Sequence, residues 1–301
     1  MTPELLALSV ITLIAATVNG ALGYGFSSLT VPMALLMFTN RVLNPALVLL
    51  EVVLNGYMLF VNRRSLPAVW RRMLPIIAGL APGIALGTSL VASVNPSWMK
   101  LWTFACLMPL IFVQAAGWRR PIKGERGVGV LFGGGVGTLY ATTTISGPPL
   151  ALMLNNQGYV KQDFRAGLSL VRLAESTMTA AAYLYAGMFT ATSVALSFQI
   201  LPSLAVGVPL GALVISRMQP EIFRRICMSF DAWVVAFGVS RLLQELQIVQ
   251  SNASYVVLAG VGAIDMWLLW RFFSGAVSEP PVPGYSSEVV NSSHPASRPS
   301  A

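Results

Sequence analysis

Asn19 to Met37 reads NGALGYGFSSLTVPMALLM, and Gly133 to Leu154 reads GGGVGTLYATTTISGPPLALML. Each stretch lies inside a long apolar run, yet each carries several glycines, proline and a row of small hydroxyls. A helix that only faces lipid needs none of these. Irregular backbone at membrane depth is tolerated where protein or a polar cavity satisfies it. The pair therefore points to a pathway through a membrane.

The surrounding composition supports this. The chain has 301 residues, 55% hydrophobic and 10% charged, with a mean hydropathy of +0.70. A soluble domain carries about 25% charged residues. Apolar segments run roughly over 5–38, 45–61, 74–92, 97–117, 127–156, 166–187, 194–216, 226–243 and 254–273. Stretches near twenty residues with few charges predict membrane-spanning helices. The net charge of +8 is concentrated in loops such as NRRSLPAVWRR (Asn62 to Arg72) and WRRPIKGER (Trp118 to Arg126). That placement reads as a topology signal and not as a nucleic-acid surface.

Other chemistry is narrowed by composition. Cys106 and Cys227 lie in apolar segments and read as small buried hydrophobes. The single histidine, His294, sits in the polar tail, which argues against Ser–His chemistry and most zinc sites. There is no GxxxxGK[ST] loop for nucleotide hydrolysis. No cofactor is expected. Leu5 to Val18 has the length of a signal-peptide core, but no basic residue precedes it and the segment after it recurs, so it reads as part of the membrane domain.

The chain also repeats itself. Pro32 to Met37 (PMALLM) matches Pro149 to Leu154 (PLALML). Leu74-Pro75 opens a glycine-rich segment with Gly79, Pro82, Gly83 and Gly87, and Leu201-Pro202 opens another with Gly207, Pro209 and Gly211. Pro96 to Lys100 opens the next segment, and Pro220 to Arg224 opens its counterpart. As one helix, 5–38 would run about 50 Å against a hydrocarbon core of about 30 Å. Split at its glycines it gives two arms of about thirteen residues, roughly 20 Å each, expected to meet near the midplane as a re-entrant hairpin.

The positive-inside rule favours that hairpin for 127–156. With it, Arg63, Arg64, Arg71, Arg72, Arg119, Arg120, Lys123, Arg126, Lys161, Arg165, Arg217, Arg224, Arg225 and Arg271 share the cytoplasmic side. The outer side keeps Arg41, Lys100 and Arg241. The expected architecture is an all-α integral membrane protein of two inverted repeats. Each is a re-entrant or broken helix hairpin plus three transmembrane helices, with one extra C-terminal transmembrane helix. The boundaries are repeat one at 1–118, a basic cytoplasmic linker at 119–126, repeat two at 127–246, the extra helix at 247–273 and a disordered cytoplasmic tail at 274–301.

These motifs, NGALGYGFSSLTVP and GGGVGTLYATTTISGPP, and the order of the segments over roughly 5–246 resemble the TauE/SafE sulfite exporter family, also called the toluene-sulfonate uptake permease family. The resemblance implies a multi-pass protein of the bacterial cytoplasmic membrane that moves sulfite, sulfonates or related organic anions. Ser27-Ser28 stands where many members keep more glycine, and the ninth segment is additional.

The residues suggest where an anion would bind. Pro32 and Pro149 suit the first turn of a helix, and Ser27, Ser28, Thr30, Thr142, Thr143, Thr144 and Ser146 lie just before them. Helix N-termini with hydroxyl donors suit an oxyanion; the alternative is that small residues only allow close helix packing. Glu51, Arg172 and Glu175 are ionisable groups within apolar segments, each costing about 3 kcal/mol even on insertion scales. Arg172 and Glu175, three apart, share a face and either neutralise each other or work separately. Glu51 is expected to pair with Arg172 across the repeats or to take up a proton. Arg172 suits an anion through its forked donors, and Asn55 lies one turn from Glu51. The expected substrate site is therefore Ser27, Ser28, Thr30, Glu51, Asn55, Thr143, Thr144, Ser146, Arg172 and Glu175. Asp231 and Asp265 are weaker candidates. Trp70, Trp98, Trp102, Trp118, Trp267 and Trp270 read as interfacial anchors.

Three function classes follow. The leading one is a secondary transporter of small anions working by alternating access, with the bilayer as its environment and protons or another ion as coupling partners. A fixed-pore anion channel and a membrane enzyme are the others; homo-oligomers are compatible with all three.

Overall fold

The computed structural model describes residues 3–115, 125–157, 161–215, 220–249 and 251–274. The expected disordered tail, most of the basic linker with Arg119, Arg120 and Lys123, and also Trp118, Arg217 and His294 lie outside them. Eleven α-helices occur among the described residues. They are α1 (Pro3–Leu22), α2 (Phe26–Ala34), α3 (Asn40–Val61), α4 (Leu66–Ser93), α5 (Pro96–Ala115), α6 (Glu125–Thr143), α7 (Gly147–Asn156), α8 (Lys161–Tyr185), α9 (Ala191–Ile215), α10 (Pro220–Glu245) and α11 (Val256–Phe273).

Among the described residues, five stretches are long and apolar enough to cross a membrane: Pro3–Leu22, Asn40–Val61, Arg63–Ser93, Ala191–Val214 and Asn252–Phe273. The protein is thus an all-helical integral membrane protein. Helix α8 has 25 residues, long enough to cross, but Arg172, Glu175 and its hydroxyl residues dilute its apolar character. It is packed among α3, α4, α6 and α7, which spares those residues from lipid.

Both runs that carry the motifs break where glycine or hydroxyl residues allow it. The first breaks between α1 and α2, where Gly23 and Gly25 have φ of 87° and 109°. These values are open to glycine and costly to other residues. The second breaks between α6 and α7, where Thr144 itself takes φ of 58°. The arms are not the equal thirteen-residue pairs expected from sequence. The first arms have 20 and 19 residues, about 30 Å each. Only the second arms are short, at nine and ten residues. The helix continues through Gly20, Gly133 and Gly137 because those glycines face the backbone of other helices instead of ending the run.

Their neighbours show why. A Cβ on Gly79 or Gly83 of α4 would fall 2.1 Å from the carbonyl oxygen of Val130 or Gly134 in α6. One on Gly133 would fall 2.1 Å from the Ile76 oxygen. Helices α1 and α9 repeat the arrangement, with Gly20 at 2.1 Å from the Val208 oxygen and Gly211 at 2.0 Å from that of Thr17. Backbones therefore touch along both pairs, as small residues permit in membranes. Contacts advance together along each pair, Gly79 to Gly87 against Val130 to Ala141 and Gly207 to Gly211 against Leu13 to Ala21, so the partners run parallel.

Pro149 lies in the first turn of α7 as expected. Pro32 does not start a helix; it is inside α2, and Ser27, Ser28 and Thr30 are helical residues instead of a loop before it. The apolar core divides in two. One part gathers α1, α2, α3, α9 and α10 around Leu8, Phe26, Leu47, Ile200 and Val235. The other gathers α4, α6, α7 and α8 around Met73, Leu80, Leu150 and Leu168. Trp70, Trp98, Trp102, Trp267 and Trp270 are exposed, consistent with anchoring. Cys106 is a free, half-buried thiol in α5. The side chains of Cys227 and Asp231 lie outside the described residues.

Candidate functional site

Breaking a helix inside a membrane leaves carbonyls without intrahelical partners, and polar residues on neighbouring helices satisfy them here. At the end of α6, Asn44 Nδ2 donates to the Thr142 carbonyl at 2.7 Å and Tyr183 Oη to that of Ala141 at 2.5 Å. At the end of α1, Arg165 Nη2 donates to the Ala21 carbonyl at 2.9 Å. Thr143 serves its own break, donating to the Leu139 carbonyl at 2.7 Å and accepting from the Ile145 N–H at 3.1 Å. Thr144 Oγ1 donates to the Thr143 carbonyl at 2.7 Å. Both threonine hydroxyls therefore already spend their donors on backbone.

Helices α3 and α8 cross beside these breaks, and their charges lie mid-helix. Glu51 is fully buried (0% exposed) and Arg172 nearly so (2%). Arg172 Nη2 reaches Glu51 Oε1 at 2.9 Å. Ser27, in the first turn of α2, donates to the same Glu51 oxygen, and Tyr140 Oη donates to Oε2 at 2.6 Å. Arg172 Nη1 donates to Asn19 Oδ1 at 3.3 Å. Asn55 Nδ2 donates to the Arg172 carbonyl at 3.3 Å, so Asn55 holds α3 against α8.

Glu175 is not the ion-pair partner of Arg172. It too is fully buried (0%), and it accepts from Ser146, the residue just before α7. A hydroxyl at each break thus reaches a carboxyl on the helix that follows: Ser27 to Glu51, Ser146 to Glu175. Ser28 donates to the Gly25 carbonyl at 3.2 Å and shores up the first break.

Several buried polar atoms have no hydrogen-bond partner, and a group of them falls here: Asn19 Nδ2, Thr30 Oγ1, Arg172 Nε, Glu175 Oε1 and Thr179 Oγ1. Asn19 is bonded to Arg172, Thr30 is three residues from Ser27, and Thr179 is one turn from Glu175. Folded proteins leave few buried polar groups unpaired. Beside the Arg172 guanidinium, Asn19 Nδ2 and Arg172 Nε leave donors and Glu175 Oε1 an acceptor without a partner.

The structure brings Ser27, Glu51, Asn55, Arg172, Glu175 and Ser146 into this network and assigns Ser28, Thr143 and Thr144 to the breaks. Thr30 contributes an unpartnered hydroxyl. Sequence reasoning missed Tyr140 and Asn19, although both lie in or at the edge of the quoted motifs; a polar side chain inside an apolar helix was the available signal. Asp265 lies elsewhere, accepting from Ser229 Oγ at 3.0 Å and Trp233 Nε1 at 3.2 Å, and ties α11 to α10. Among the described residues no group of three or more His, Cys, Asp or Glu is placed to hold a metal ion.

Broken apolar helices around a buried charged cluster define a polytopic membrane protein. The model of the Sulfite exporter TauE/SafE family matches residues 8–237, and the chain belongs to that membrane-transport family. Comparison with curated proteins and with solved structures gives no match.

Proposed function

We propose that the chain is a secondary transporter of small anions of the sulfite and organosulfonate class, placed in the cytoplasmic membrane. It works by alternating access around Arg172, Glu51 and Glu175. The observation that carries this reading is the convergence of both breaks on one cluster: Ser27 on Glu51, Ser146 on Glu175, and Arg172 joining α3 to α8. A sulfur oxyanion suits this cluster because its oxygens accept from the guanidinium, from Asn19 and from the hydroxyls.

The reading takes the chain as two inverted repeats, α1 to α5 and α6 to α10, with α11 added. Support comes from exchanged partners. Helix α4 packs on α6, and its proposed counterpart α9 packs on α1. The glycine contacts recur at both places, and each hairpin hydroxyl meets a carboxyl on the next helix. A pseudo-two-fold axis through the crossing of α3 and α8 makes such a site accessible from either face by rocking one half on the other. The loops with Arg63, Arg64 and Lys161 are cytoplasmic in this reading.

Uptake and counterflow in proteoliposomes with sulfite, methanesulfonate, sulfate and an acetate control test the reading. Saturable flux with counterflow of a sulfur oxyanion is expected. Unsaturable flux with single-channel currents would replace the carrier by a channel, and product formation from these anions would indicate an enzyme.

A further inference from the structure

Two carboxyl groups and one guanidinium meet at the crossing of α3 and α8, and they are not equivalent. Glu51 has every support a buried carboxylate needs: Arg172 at 2.9 Å, Tyr140 Oη at 2.6 Å and Ser27. Glu175 has one hydroxyl, Ser146, on Oε2 and no partner on Oε1. It has no ion-pair partner, and it is fully buried. An unpaired carboxylate in such a place is costly to keep ionised.

Among the described residues, the surroundings of Glu175 offer no cation beyond Arg172. On its own helix lie Arg172, engaged with Glu51, the Thr179 hydroxyl one turn on and Tyr183, whose hydroxyl donates to the Ala141 carbonyl. Helix α3 presents Glu51, the charged group across the interface. Helix α6 presents Tyr140, which donates to Glu51. The start of α7 brings Ser146. Helices α4 and α7 also pack on α8, and the core they share with it is apolar.

Charge counting sets the consequence. Arg172 and Glu51 cancel. With Glu175 ionised the cluster carries one net negative charge before any substrate arrives, and a monoanion would raise it to two. With Glu175 protonated the cluster is neutral, and a proton on the otherwise unpartnered Oε1 makes the carboxyl a donor to the anion. We infer that Glu175 is the proton-carrying residue of transport, binding one proton together with each anion and releasing both on the other side, while Glu51 remains the counter-ion of Arg172. This rests on the transporter reading above. Neutral Glu175 and anionic Glu175 also hold Ser146 differently, which ties the protonation state to the position of α7.

Two measurements separate this inference from the transporter reading. The first needs no substrate: infrared spectra of the protein in nanodiscs at neutral pH, with exchange into deuterium oxide. Wild type is expected to show an exchange-sensitive carboxylic-acid C=O band that Glu175→Gln lacks. Identical carboxylic-acid regions in wild type and Glu175→Gln would overturn the inference. Should Glu175→Gln not fold, Ser146→Ala serves: loss of the hydrogen bond shifts the band, and an unshifted band overturns the assignment. The second measurement uses methanesulfonate, which keeps its charge across the pH range. At a pH difference of one unit, one-to-one coupling gives about tenfold accumulation in wild type. Glu175→Gln is expected to lose gradient-driven accumulation, and any methanesulfonate flux it retains is expected to be independent of the pH gradient. Accumulation equal to wild type in folded Glu175→Gln overturns the inference. Absence of wild-type flux refutes the transporter reading for this anion, and the infrared result then decides on Glu175 alone.

Discussion

At Arg172 the cost of burying a guanidinium is offset by Glu51 at 2.9 Å and by Asn19 at 3.3 Å. Removing one member of such a pair leaves an uncompensated charge and costs about 3–5 kcal/mol, whereas replacing both by apolar residues of similar size is often neutral. Arg172→Met is therefore expected to lower the thermal unfolding midpoint in detergent markedly. Arg172→Met combined with Glu51→Leu is expected to recover most of that loss. Both variants are expected to lose anion flux in proteoliposomes. Wild-type flux in the recovered double variant would remove the pair from the site.

Among the elements, the glycine-lined contacts carry the clearest consequences. Gly83 of α4 has the Gly134 carbonyl oxygen 2.1 Å from where a Cβ would sit, while Gly135, one residue further along α6, has nothing within 4 Å. Gly83→Ala must push α4 from α6 and is expected to destabilise by about 1–3 kcal/mol, the usual cost of overpacking. Gly135→Ala is expected to be neutral or to stabilise by up to about 1 kcal/mol through helix propensity. Thermal unfolding of the two variants side by side checks the contrast. The same contacts explain the arm lengths. A glycine beside another backbone preserves a helix, as Gly20 and Gly133 do. The breaks fall at Gly23 and Gly25 and at Thr144, where φ turns positive.

At the scale of the whole molecule, the proposed topology fixes which side each loop faces. Single cysteines introduced at Lys161 and at Lys100, at the starts of α8 and α5, are expected to be labelled from opposite sides of the membrane in intact cells. Labelling of the Lys161→Cys variant only from outside would defeat the inverted-repeat arrangement. Removing 278–301 is expected to leave flux unchanged, because the helices that build the cluster all precede that segment.

Composition alone made this a membrane protein: a chain 10% charged and 55% hydrophobic has more apolar surface than a soluble core can hide. The doubled motif located the two breaks approximately, and the rarity of charge in apolar segments singled out Glu51, Arg172 and Glu175, because each ionisable group there needs a compensating contact. Which contacts compensate was not legible along the chain. Arg172 is three residues from Glu175 and 121 from Glu51, yet it pairs with Glu51, because α3 crosses α8 and Ser146 draws Glu175 toward the second break. Tyr140 and Asn19 joined the cluster for the same reason. Helical spacing gives the face a residue occupies, but only the packing of other helices decides what that face meets.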